Sequence, residues 1–498
     1  MRRKRNSLTE IPPNRHPLDS NPTSPKGTGF HRSLSLLDGA LLVIGSMIGS
    51  GIFIVSGDIA QKVGSSGWLI AVWLVSGFIT LTAALSYGEL SGMFPQAGGQ
   101  YVYLREAFGR FYGFLYGWSF FAVIQTGTIA AVGVAFGKFA GYLVPALGDE
   151  NILFTTAGGF HISAAQPVGI LTIVFLTLLN TRGVESGKRV QSVFTFAKLA
   201  AIAGLIVFGF LKASPPDVAA ANHAAMWQAI SITTDGGTIS HETLGGAALF
   251  LALCGAMVGA LFSSDAWNSV TFIAGELKRP ERNIGLSLFI GTLAVTILYV
   301  SMNFMYLNVM SVSEIAHAPS SRVATAAALK IFGPNGALII AVMIMISTFG
   351  CNNGLILSGA RVYYTMAKDN LFLKSAGTLN AKGVPANALW MQCGWACLLC
   401  LSGQYGNLLD YIVFTVLLFY ILTIYGIFRL RRTQPHAVRP YKAFGYPFIP
   451  FLYILMAAAI CIGLIVSKPA YPAVGLLIVL AGIPVYFVTL KKNSAANG

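Results

Sequence analysis

The stretch Gly45-Ser46-Met47-Ile48-Gly49-Ser50-Gly51 decides the fold that we predict for this chain. It lies in the middle of an apolar run, 34–59, that is long enough to cross a lipid bilayer. Each glycine weakens a helix by about 1 kcal/mol relative to alanine. We therefore expect a membrane-spanning segment whose helix is interrupted near its midpoint.

A helix that breaks inside a membrane frees main-chain N–H and C=O groups that lipid cannot satisfy, so the break must be buried in protein or line a polar cavity. The amides of Ser50 and Gly51 would open the second half-helix and present its positive end to an anion such as a carboxylate. A close helix–helix contact through small residues is the alternative. A dinucleotide-binding motif is disfavoured, because no strand precedes these glycines.

The composition indicates an integral membrane protein. Of 498 residues, 55% are hydrophobic and only 10% are charged, whereas about a quarter is typical of soluble domains. The net charge of +15 does not indicate nucleic-acid binding, because the charges alternate by side between the apolar segments. The six cysteines lie inside apolar segments, and no metal site, cofactor or redox motif is predicted from them.

Hydropathy predicts an all-α membrane protein with about twelve transmembrane helices. The predicted spans are 34–59, 67–91, 111–145, 166–181, 190–212, 244–275, 284–309, 330–366, 385–402, 407–429, 447–467 and 471–490.

The basic residues predict the orientation of these spans. Most of the 33 Lys and Arg residues fall on one side, and Lys198 lies within a span. The other side has six: Lys62, Lys138, Lys212, Arg322, Lys330 and Lys468. By the positive-inside rule both termini are cytoplasmic.

The spans divide into two predicted repeats of five, followed by two extra helices. The longest outer connection, 213–243, separates the repeats. The predicted segments are a disordered basic cytoplasmic tail 1–33, the repeats 34–212 and 244–429, a cytoplasmic loop 430–446, helices eleven and twelve in 447–490, and a tail 491–498.

If the repeats are inverted, the counterpart of span 1 is span 6. That span has a polar interruption of its own, Leu261-Phe262-Ser263-Ser264-Asp265-Ala266-Trp267. Paired broken segments in corresponding positions of two halves are the best sequence indication of a transporter's substrate site. The interruption in span 6 therefore favours the binding-site interpretation of the stretch 45–51.

Two ionisable residues lie inside predicted spans. Lys198 is about two turns into span 5, where a lysine is costly unless it meets carbonyls, a carboxylate or water; the alternative is a side chain that reaches the cytoplasmic surface. Asp265 lies in the interruption of span 6 and could bind a substrate ammonium, pair with Lys198, accept a proton, or cap the second half-helix.

Seven acidic residues near the cytoplasmic ends of spans are predicted to pair with Arg and Lys and to hold an inner gate shut. They are Asp38, Glu89, Glu106, Glu185, Glu276, Glu281 and Asp369. The sequence contains no nucleophile–base pair, His/Cys metal cluster or phosphate loop of a soluble domain, so no enzyme activity is predicted.

These features resemble the amino acid–polyamine–organocation superfamily, and in particular its L-type amino-acid transporter branch. The matching motifs extend over roughly 32–490. They are Ser46-Met47-Ile48-Gly49-Ser50-Gly51-Ile52-Phe53, Tyr87-Gly88-Glu89-Leu90 followed by Pro95, Gly98, Gly99 and Tyr101, Gly275-Glu276-Leu277-Lys278-Arg279-Pro280-Glu281-Arg282-Asn283, and Arg439-Pro440-Tyr441-Lys442 followed by Gly445-Tyr446-Pro447.

The resemblance implies a five-plus-five inverted repeat that holds an amino acid between discontinuous spans 1 and 6. The substrate carboxylate would lie at the amides of Ser50, Gly51 and Ile52, and the ammonium at carbonyls near Met47 and Phe262, with Ser263 and Asp265 beside them. The Phe262 ring would form an aromatic gate. Lys198 would occupy the place that a sodium ion has in sodium-dependent relatives, and would couple binding to transport.

Two departures bear on substrate and partners. Ser263-Ser264-Asp265-Ala266 replaces the small-aromatic-glycine run of many members, and Asp265 could admit a cationic side chain. The eukaryotic branch bonds a partner glycoprotein through a cysteine between spans 3 and 4, but the connection 146–165 has none. No disulfide-linked heavy chain is therefore expected, and a prokaryotic inner-membrane protein fits best.

The resulting hypothesis is a sodium-independent amino-acid transporter that works by alternating access, either as an exchanger or as a proton symporter. Its predicted partners are a small amino acid, the lipid bilayer and, in the symport case, protons, with no nucleic acid. The alternatives are a carrier of cationic amino acids or polyamines, and a sensing or channel-like protein that uses the same pocket.

Overall fold

The computed structural model describes residues 32–155, 161–212, 214–224, 226–235, 238–401 and 405–495. The predicted tail 1–33 lies outside these residues, apart from its last two positions. In the sections below, a statement that a partner or group is absent refers to these described residues.

Within the described residues, helices or pairs of helices correspond in order to the twelve predicted spans. Spans 1 to 12 are Leu36–Met47 with Gly51–Val63, Ser66–Met93, Arg110–Leu143, Ala165–Thr181, Val184–Leu211, Gly246–Ser263 with Ser269–Phe272, Pro280–Val309, Val323–Lys368, Ala386–Cys400, Tyr405–Thr433, Phe448–Ser467 and Ala470–Ala495.

Nine of the helices in the described part of the chain are long and apolar enough to cross a membrane singly, and the bent pair of span 1 brings the number to ten. Span 4 is apolar but shorter, at 17 residues. Many large apolar side chains on the outside of the bundle, such as Leu211 and Ile462, are exposed as a lipid-facing surface requires. The chain is an all-α, multi-pass membrane protein, as predicted.

Short elements connect the spans. The connecting helices are Gln100–Phe108, Pro216–Ala224 and Val312–Ala316, with 3₁₀ turns at Pro145–Leu147, Ala274–Glu276, Pro319–Ser321 and Lys374–Gly377. Two antiparallel hairpins pair β1 (Ile152–Thr155) with β2 (His161–Ser163), and β3 (Ile230–Asp235) with β4 (Thr238–Thr243). We call the face with Gln100–Phe108 and the loop 434–446 the inner face, and the face with the hairpins the outer face.

Local sequence sets where several spans begin and bend. Span 1 begins with a capping box, in which the Ser35 side chain accepts from the Asp38 amide and the Asp38 carboxylate accepts from the Ser35 amide. In span 8, Gly333 has a φ of 76° and is followed by Pro334, so the helix kinks there. The predicted start of span 8 at residue 330 therefore lies just before the kink. Span 3 contains a π-helical turn at Phe120–Ile124.

Spans 1 and 6 meet at the inner face. Leu34, just before span 1, forms a parallel bridge with Leu277, just after span 6. The Leu34 amide donates to the Glu276 carbonyl at 3.0 Å, and the Lys278 amide donates to the Leu34 carbonyl at 2.9 Å. This contact fixes the inner ends of the two broken spans against each other.

Ion pairs close the inner face, in agreement with the sequence prediction for four of the seven acidic residues. Glu276 pairs with the fully buried Arg361 at 2.9 Å, and Glu89 pairs with Arg431 in the last turn of span 10 and with Arg439 in the loop after it. Glu106 and Asp369 both contact Arg105. Asp38 instead caps span 1, and the side chain of Glu185 lies outside the description.

Candidate functional site

Span 1 is broken at the predicted stretch. Its first half ends at Met47 and its second half begins at Gly51, with a bend of 42° between them. Ile48 leaves the helical conformation at ψ 89°. Ser50 caps the second half without a side-chain hydrogen bond to the helix amides, and the Phe53 amide donates to the Ser50 carbonyl at 3.1 Å. Met47, Ser50 and Ile52 are almost completely buried.

Span 6 is also broken, but slightly later than predicted. Leu261, Phe262 and Ser263 remain helical, and the chain leaves the helix over 264–268 before the short helix Ser269–Phe272. Ala266 has a φ of 63°, in the left-handed region that non-glycine residues seldom adopt. The sequence located the break but not its start, because Leu261 and Phe262 are apolar helix formers.

Asp265 does not cap the second half of span 6, so that alternative is wrong. The capping position is Asn268, which makes no side-chain hydrogen bond to the helix end. The Asp265 amide donates to the Phe262 carbonyl at 3.1 Å, as in a turn that ends the first half-helix.

The two breaks are in direct contact. A Cβ atom on Gly51 would lie 2.0 Å from Ser263 Oγ and 3.0 Å from Ser263 Cα. The Ser263 hydroxyl donates back to the Gly259 carbonyl at 2.7 Å. Glycine is required at position 51 because the start of one half-helix packs against the end of another.

Tyr299 of span 7 joins the two breaks. Its hydroxyl is 2.9 Å from the Met47 carbonyl and 3.0 Å from the Ser263 carbonyl. Since a phenol has one proton to donate, Tyr299 can donate to only one of these carbonyls fully at a time. Two turns further along span 7, Tyr306 donates to the Ile52 carbonyl at 3.2 Å. Three carbonyls of predicted site residues are therefore bound by two tyrosines.

Sequence reasoning missed these tyrosines. A weak signal was available: Tyr299, Asn303 and Tyr306 are spaced by four and three residues, and so share one face of an otherwise apolar helix. All three are buried, and Asn303 accepts a hydrogen bond from Ser56 at 2.6 Å.

Lys198 lies beside the break of span 1 and is fully buried. Its ammonium donates to the carbonyls of Gly45 and Ile48, each at 2.7 Å, and of Ser347 at 3.2 Å. The Ser347 hydroxyl approaches the same break, at 3.2 Å from the Ile48 carbonyl. Lys198 neither reaches the surface nor pairs with Asp265, so these two alternatives are wrong.

Asp265 faces a different part of the bundle. Its carboxylate accepts from the Tyr420 hydroxyl of span 10 at 2.6 Å, and no basic side chain that the structure describes lies within ion-pair distance of it. It lines two cavities of about 20 Å³ each, which is room for about one water molecule in each.

The second of these cavities leads towards the inner face through a polar chain. Gln100 and Asn268 line it together with Asp265. The Asn268 amide donates to Gln100 at 3.2 Å, and the Gln100 amide donates to Thr423 at 3.0 Å. These three side chains are buried and hydrogen-bonded to one another.

The structure thus brings Met47, Ser50, Gly51, Ile52, Phe262 and Ser263 to one pair of contacting breaks, with Lys198 behind span 1 and Asp265 on the side of span 10. In the part of the chain that is described, no three His, Cys, Asp or Glu side chains could hold a metal ion together.

Comparison with known proteins identifies the family of this chain. A family model for amino acid permeases matches residues 34–489. The chain belongs to this family. Within the amino acid–polyamine–organocation superfamily it falls in the branch of the L-type transporters, as the sequence motifs indicated. The amino acid permease is therefore a transporter and not an enzyme.

Three relatives illustrate the match. The permease is 30% identical to the serine/threonine exchanger SteT of Bacillus subtilis, over 94% of this chain and 99% of that protein. It is 29% identical to the human large neutral amino acids transporter small subunit 2, over 98% and 86%. It is 28% identical to the rat b(0,+)-type amino acid transporter 1, over 94% and 89%.

Proposed function

We propose that this permease exchanges amino acids across the membrane by alternating access, without sodium, and that it holds the amino acid at the breaks of spans 1 and 6. The amides of Ser50, Gly51 and Ile52 take the carboxylate, and the carbonyls of Met47 and Phe262 take the ammonium. These groups recognise the part that all α-amino acids share, while side-chain choice rests with the pocket walls.

The contact between the two breaks carries this proposal. Gly51 and Ser263 touch, and Tyr299 lies within hydrogen-bond distance of a carbonyl on each side. Main-chain groups at half-helix ends suit a zwitterion, because the amide end is positive and the carbonyl end is negative. An entering amino acid would separate Gly51 from Ser263 and would compete with Tyr299 for the carbonyls.

Exchange is favoured over proton symport by the surroundings of Lys198. Three carbonyls around one buried ammonium are the ligands that a bound monovalent cation would have. A cation that is held in place leaves the amino acid as the only species whose arrival and departure lets the protein change conformation. The relative SteT is named as a serine/threonine exchanger, which is consistent with this assignment.

The proposal includes the division into two repeats and the orientation of the chain in the membrane. Residues 34–212 and 244–429 form two inverted five-span repeats, each of which starts with a broken span. Both termini are cytoplasmic, and the inner face described above is the cytoplasmic face. The human relative is named as a small subunit, but the connection 146–165 of this chain contains no cysteine for a disulfide-linked partner. We expect it to work as a single chain type in a prokaryotic inner membrane.

Counterflow in proteoliposomes tests the proposed function. Purified protein is reconstituted with one unlabelled amino acid inside, and uptake of the labelled amino acid is measured with serine, threonine, leucine and arginine in turn. Uptake should require the internal amino acid and should be unchanged when sodium is replaced by choline or when a protonophore collapses the pH gradient. Uptake into empty vesicles driven by sodium or by a pH gradient would contradict exchange, and current without trans-stimulation would indicate a channel.

A cationic substrate is the second candidate, and Asp265 is the observation that favours it. This carboxylate has no described basic partner and adjoins two small cavities. A buried carboxylate without a counter-charge is costly, and the ammonium or guanidinium of a substrate side chain would supply one. Putrescine belongs to the same test, since a polyamine would also satisfy Asp265.

The variant Asp265→Asn separates the two substrate classes. If Asp265 binds a cationic side chain, arginine or putrescine counterflow falls roughly tenfold or more in this variant, as expected for a lost charged hydrogen bond, while serine counterflow persists. Equal loss of all substrates would assign Asp265 to the transport cycle itself, and unchanged arginine counterflow would remove it from both roles.

A further inference from the structure

A second cavity, much larger than those beside Asp265, lies at the outer face. Its volume is about 360 Å³, which falls in the range of small-molecule binding sites. The connection between spans 7 and 8 and the first turns of span 8 form most of its wall, with Tyr142 at the end of span 3. We call it the outer cavity. Neither the transport site nor Asp265 contributes to it.

The cations beside the outer cavity are more deeply buried than the carboxylates that balance them. Arg322 and Lys138 share the single close carboxylate of Asp149, at 3.3 and 3.5 Å. Glu150 is 4.0 Å from Arg322 with a side chain that is 74% exposed, so water screens it strongly. The side chains of Arg322 and Lys138 are only 11% and 14% exposed. Two mostly buried cations thus have one close counter-charge.

The other ion pair of the outer cavity is balanced. Lys330 pairs with Glu314, which also accepts from the Ser311 amide at 2.8 Å. Burial raises the pKa of Glu314, but the hydrogen bonds from Lys330 and from the Ser311 amide outweigh it and lower that pKa. Glu314 is therefore ionised at neutral pH and neutralises Lys330. The cation of the wall with the weaker compensation is Arg322, which shares Asp149 with Lys138 and has only the exposed Glu150 besides.

Two of the residues that line the outer cavity each carry a buried polar atom with no hydrogen-bond partner in the described part of the chain. The atoms are Arg322 Nε and Thr325 Oγ1. Thr325 is 4% exposed. An unpartnered buried donor normally costs about 1–3 kcal/mol and is therefore rare in folded proteins. Both atoms can donate a hydrogen bond, and both belong to residues on the same short stretch of chain.

The rest of the wall is mostly apolar, with Met310, Ala326 and Leu329 facing the charged stretch. From this combination we propose that the outer cavity binds an apolar molecule that carries one carboxylate. Arg322 and Thr325 hold the carboxylate, and the apolar part lies against Met310 and Leu329. Amino acids with apolar side chains and simple fatty acids share this chemistry, and the test distinguishes them.

Calorimetric titration of the purified full-length protein tests the proposal. The probes are isocaproate, which has a leucine-like skeleton with a carboxylate and no ammonium, its neutral isostere isocaproamide, and leucine. Isocaproate should bind, and isocaproamide should bind roughly tenfold more weakly or not at all, as the loss of charge-assisted hydrogen bonds implies. Leucine that binds as well as isocaproate would make the amino acid itself the natural ligand, whereas leucine that binds much more weakly would indicate a simple fatty acid.

Thr325→Val is the decisive variant. The hydroxyl has no hydrogen-bond partner among the residues that the structure describes, so its removal should leave folding intact while isocaproate binding weakens roughly fivefold or more, as for a lost hydrogen bond to a charged group. Leu329→Trp fills the cavity and should abolish binding. Leu338→Trp is its matched control, because Leu338 is a similarly exposed leucine of the same span that does not line the cavity.

Three results would overturn the proposal. One is the absence of isocaproate binding to the unmodified protein. Another is equal binding of isocaproamide, which would mean that no carboxylate is recognised. The third is unchanged isocaproate binding in folded Thr325→Val and Leu329→Trp together with its loss in Gly51→Leu, which would assign the probe to the transport site. None of these results depends on whether counterflow succeeds, so the proposed function is tested separately.

Discussion

The ammonium of Lys198 in span 5 donates to main-chain carbonyls of spans 1 and 8. A lysine in the middle of a membrane protein costs several kcal/mol unless its charge is solvated. Here the carbonyls of Gly45, Ile48 and Ser347 replace water. The carbonyls of Gly45 and Ile48 are at the end of the first half of span 1, where the broken helix leaves them without a partner amide. The break therefore supplies acceptors for the buried ammonium, and the ammonium supplies a donor for the carbonyls at the break.

The variant Lys198→Ala should lower the counterflow rate roughly tenfold or more. It would remove the ammonium from three buried carbonyls, of which the Ile48 carbonyl keeps the Ser347 hydroxyl as a donor; an unsatisfied buried carbonyl costs about 1–3 kcal/mol, so the break of span 1 would have to rearrange. Lys212→Ala is the matched control, because Lys212 follows the same span at the outer face and is exposed. A Lys198→Ala protein that exchanges at the normal rate with normal pH dependence would remove Lys198 from the mechanism.

Gly51 is the residue where the two breaks touch. Any side chain there would meet Ser263, since even a Cβ atom would lie 2.0 Å from Ser263 Oγ. We expect Gly51→Ala to lower thermal stability in detergent by about 1–3 kcal/mol, the usual cost of overpacking, and to raise the KM for counterflow.

Gly204→Ala serves as the control for this variant, because Gly204 lies in span 5 with open space around its Cα. If Gly51→Ala binds and exchanges amino acids like the unmodified protein, the close approach of spans 1 and 6 has no part in recognition, and the assigned site is wrong.

At the scale of elements, the sequence predicted both breaks for a physical reason. Glycine and serine are poor helix formers, and three glycines within seven residues of an apolar run weaken the helix where lipid would otherwise demand it. The same apolar pattern placed Lys198 within span 5, whereas its position near the break was implied by the family resemblance. The sequence did not predict where the second break starts. Phe262 and Ser263 are still helical, and the chain turns only after them, with Ala266 in the left-handed region.

The partners of these elements could not be predicted from one sequence. Tyr299 meets Met47 across 252 positions, and Tyr420 meets Asp265 across 155. Main-chain carbonyls are present at every residue, so nothing in the sequence distinguishes those that bind Lys198. The alternatives for Asp265 remained open for the same reason, and the structure excluded two of them by geometry: the helix cap and the pair with Lys198.

The carboxylate of Glu89 in span 2 binds both the end of span 10 and the loop 434–446 that follows it. Glu89 is almost fully buried and accepts from Arg431 at 2.6 Å, from Arg439 at 3.1 Å and from the Ala443 amide at 2.7 Å. Gly88 beside it leaves room for the Tyr441 ring, which a Cβ atom would approach to 2.8 Å. Gly88 and Tyr441 belong to two separate sequence motifs, and in the fold they pack against each other.

We expect Glu89→Gln to release this loop. The amides of 434–446 should exchange with deuterium roughly 10- to 100-fold faster, because hydrogen bonds to a charged group contribute about 1.5–3 kcal/mol. Glu106→Gln is the control, since Glu106 pairs with the neighbouring Arg105 away from this loop. Equal exchange in both variants would show that Glu89 does not hold the loop.

At the scale of the whole molecule, the breaks are shielded from both faces. On the inner side lie the Glu276–Arg361 pair and the bridge between Leu34 and Leu277. On the outer side, Gln61 donates to the Ala316 carbonyl at 2.7 Å and Lys62 to the Gly255 carbonyl at 3.1 Å. Alternating access, as proposed above, requires that one of these sets of contacts breaks while the other stays formed. Both sets of contacts are formed in this structure.

A map of the purified protein with a saturating concentration of the amino acid that it exchanges tests the central claim most directly. We predict density for the amino acid between the two breaks, with its carboxylate about 2.7–3.2 Å from the amides of Gly51 and Ile52, and with Gly51 and Ser263 moved apart. Density for the amino acid elsewhere, with Gly51 still packed on Ser263, would contradict the account.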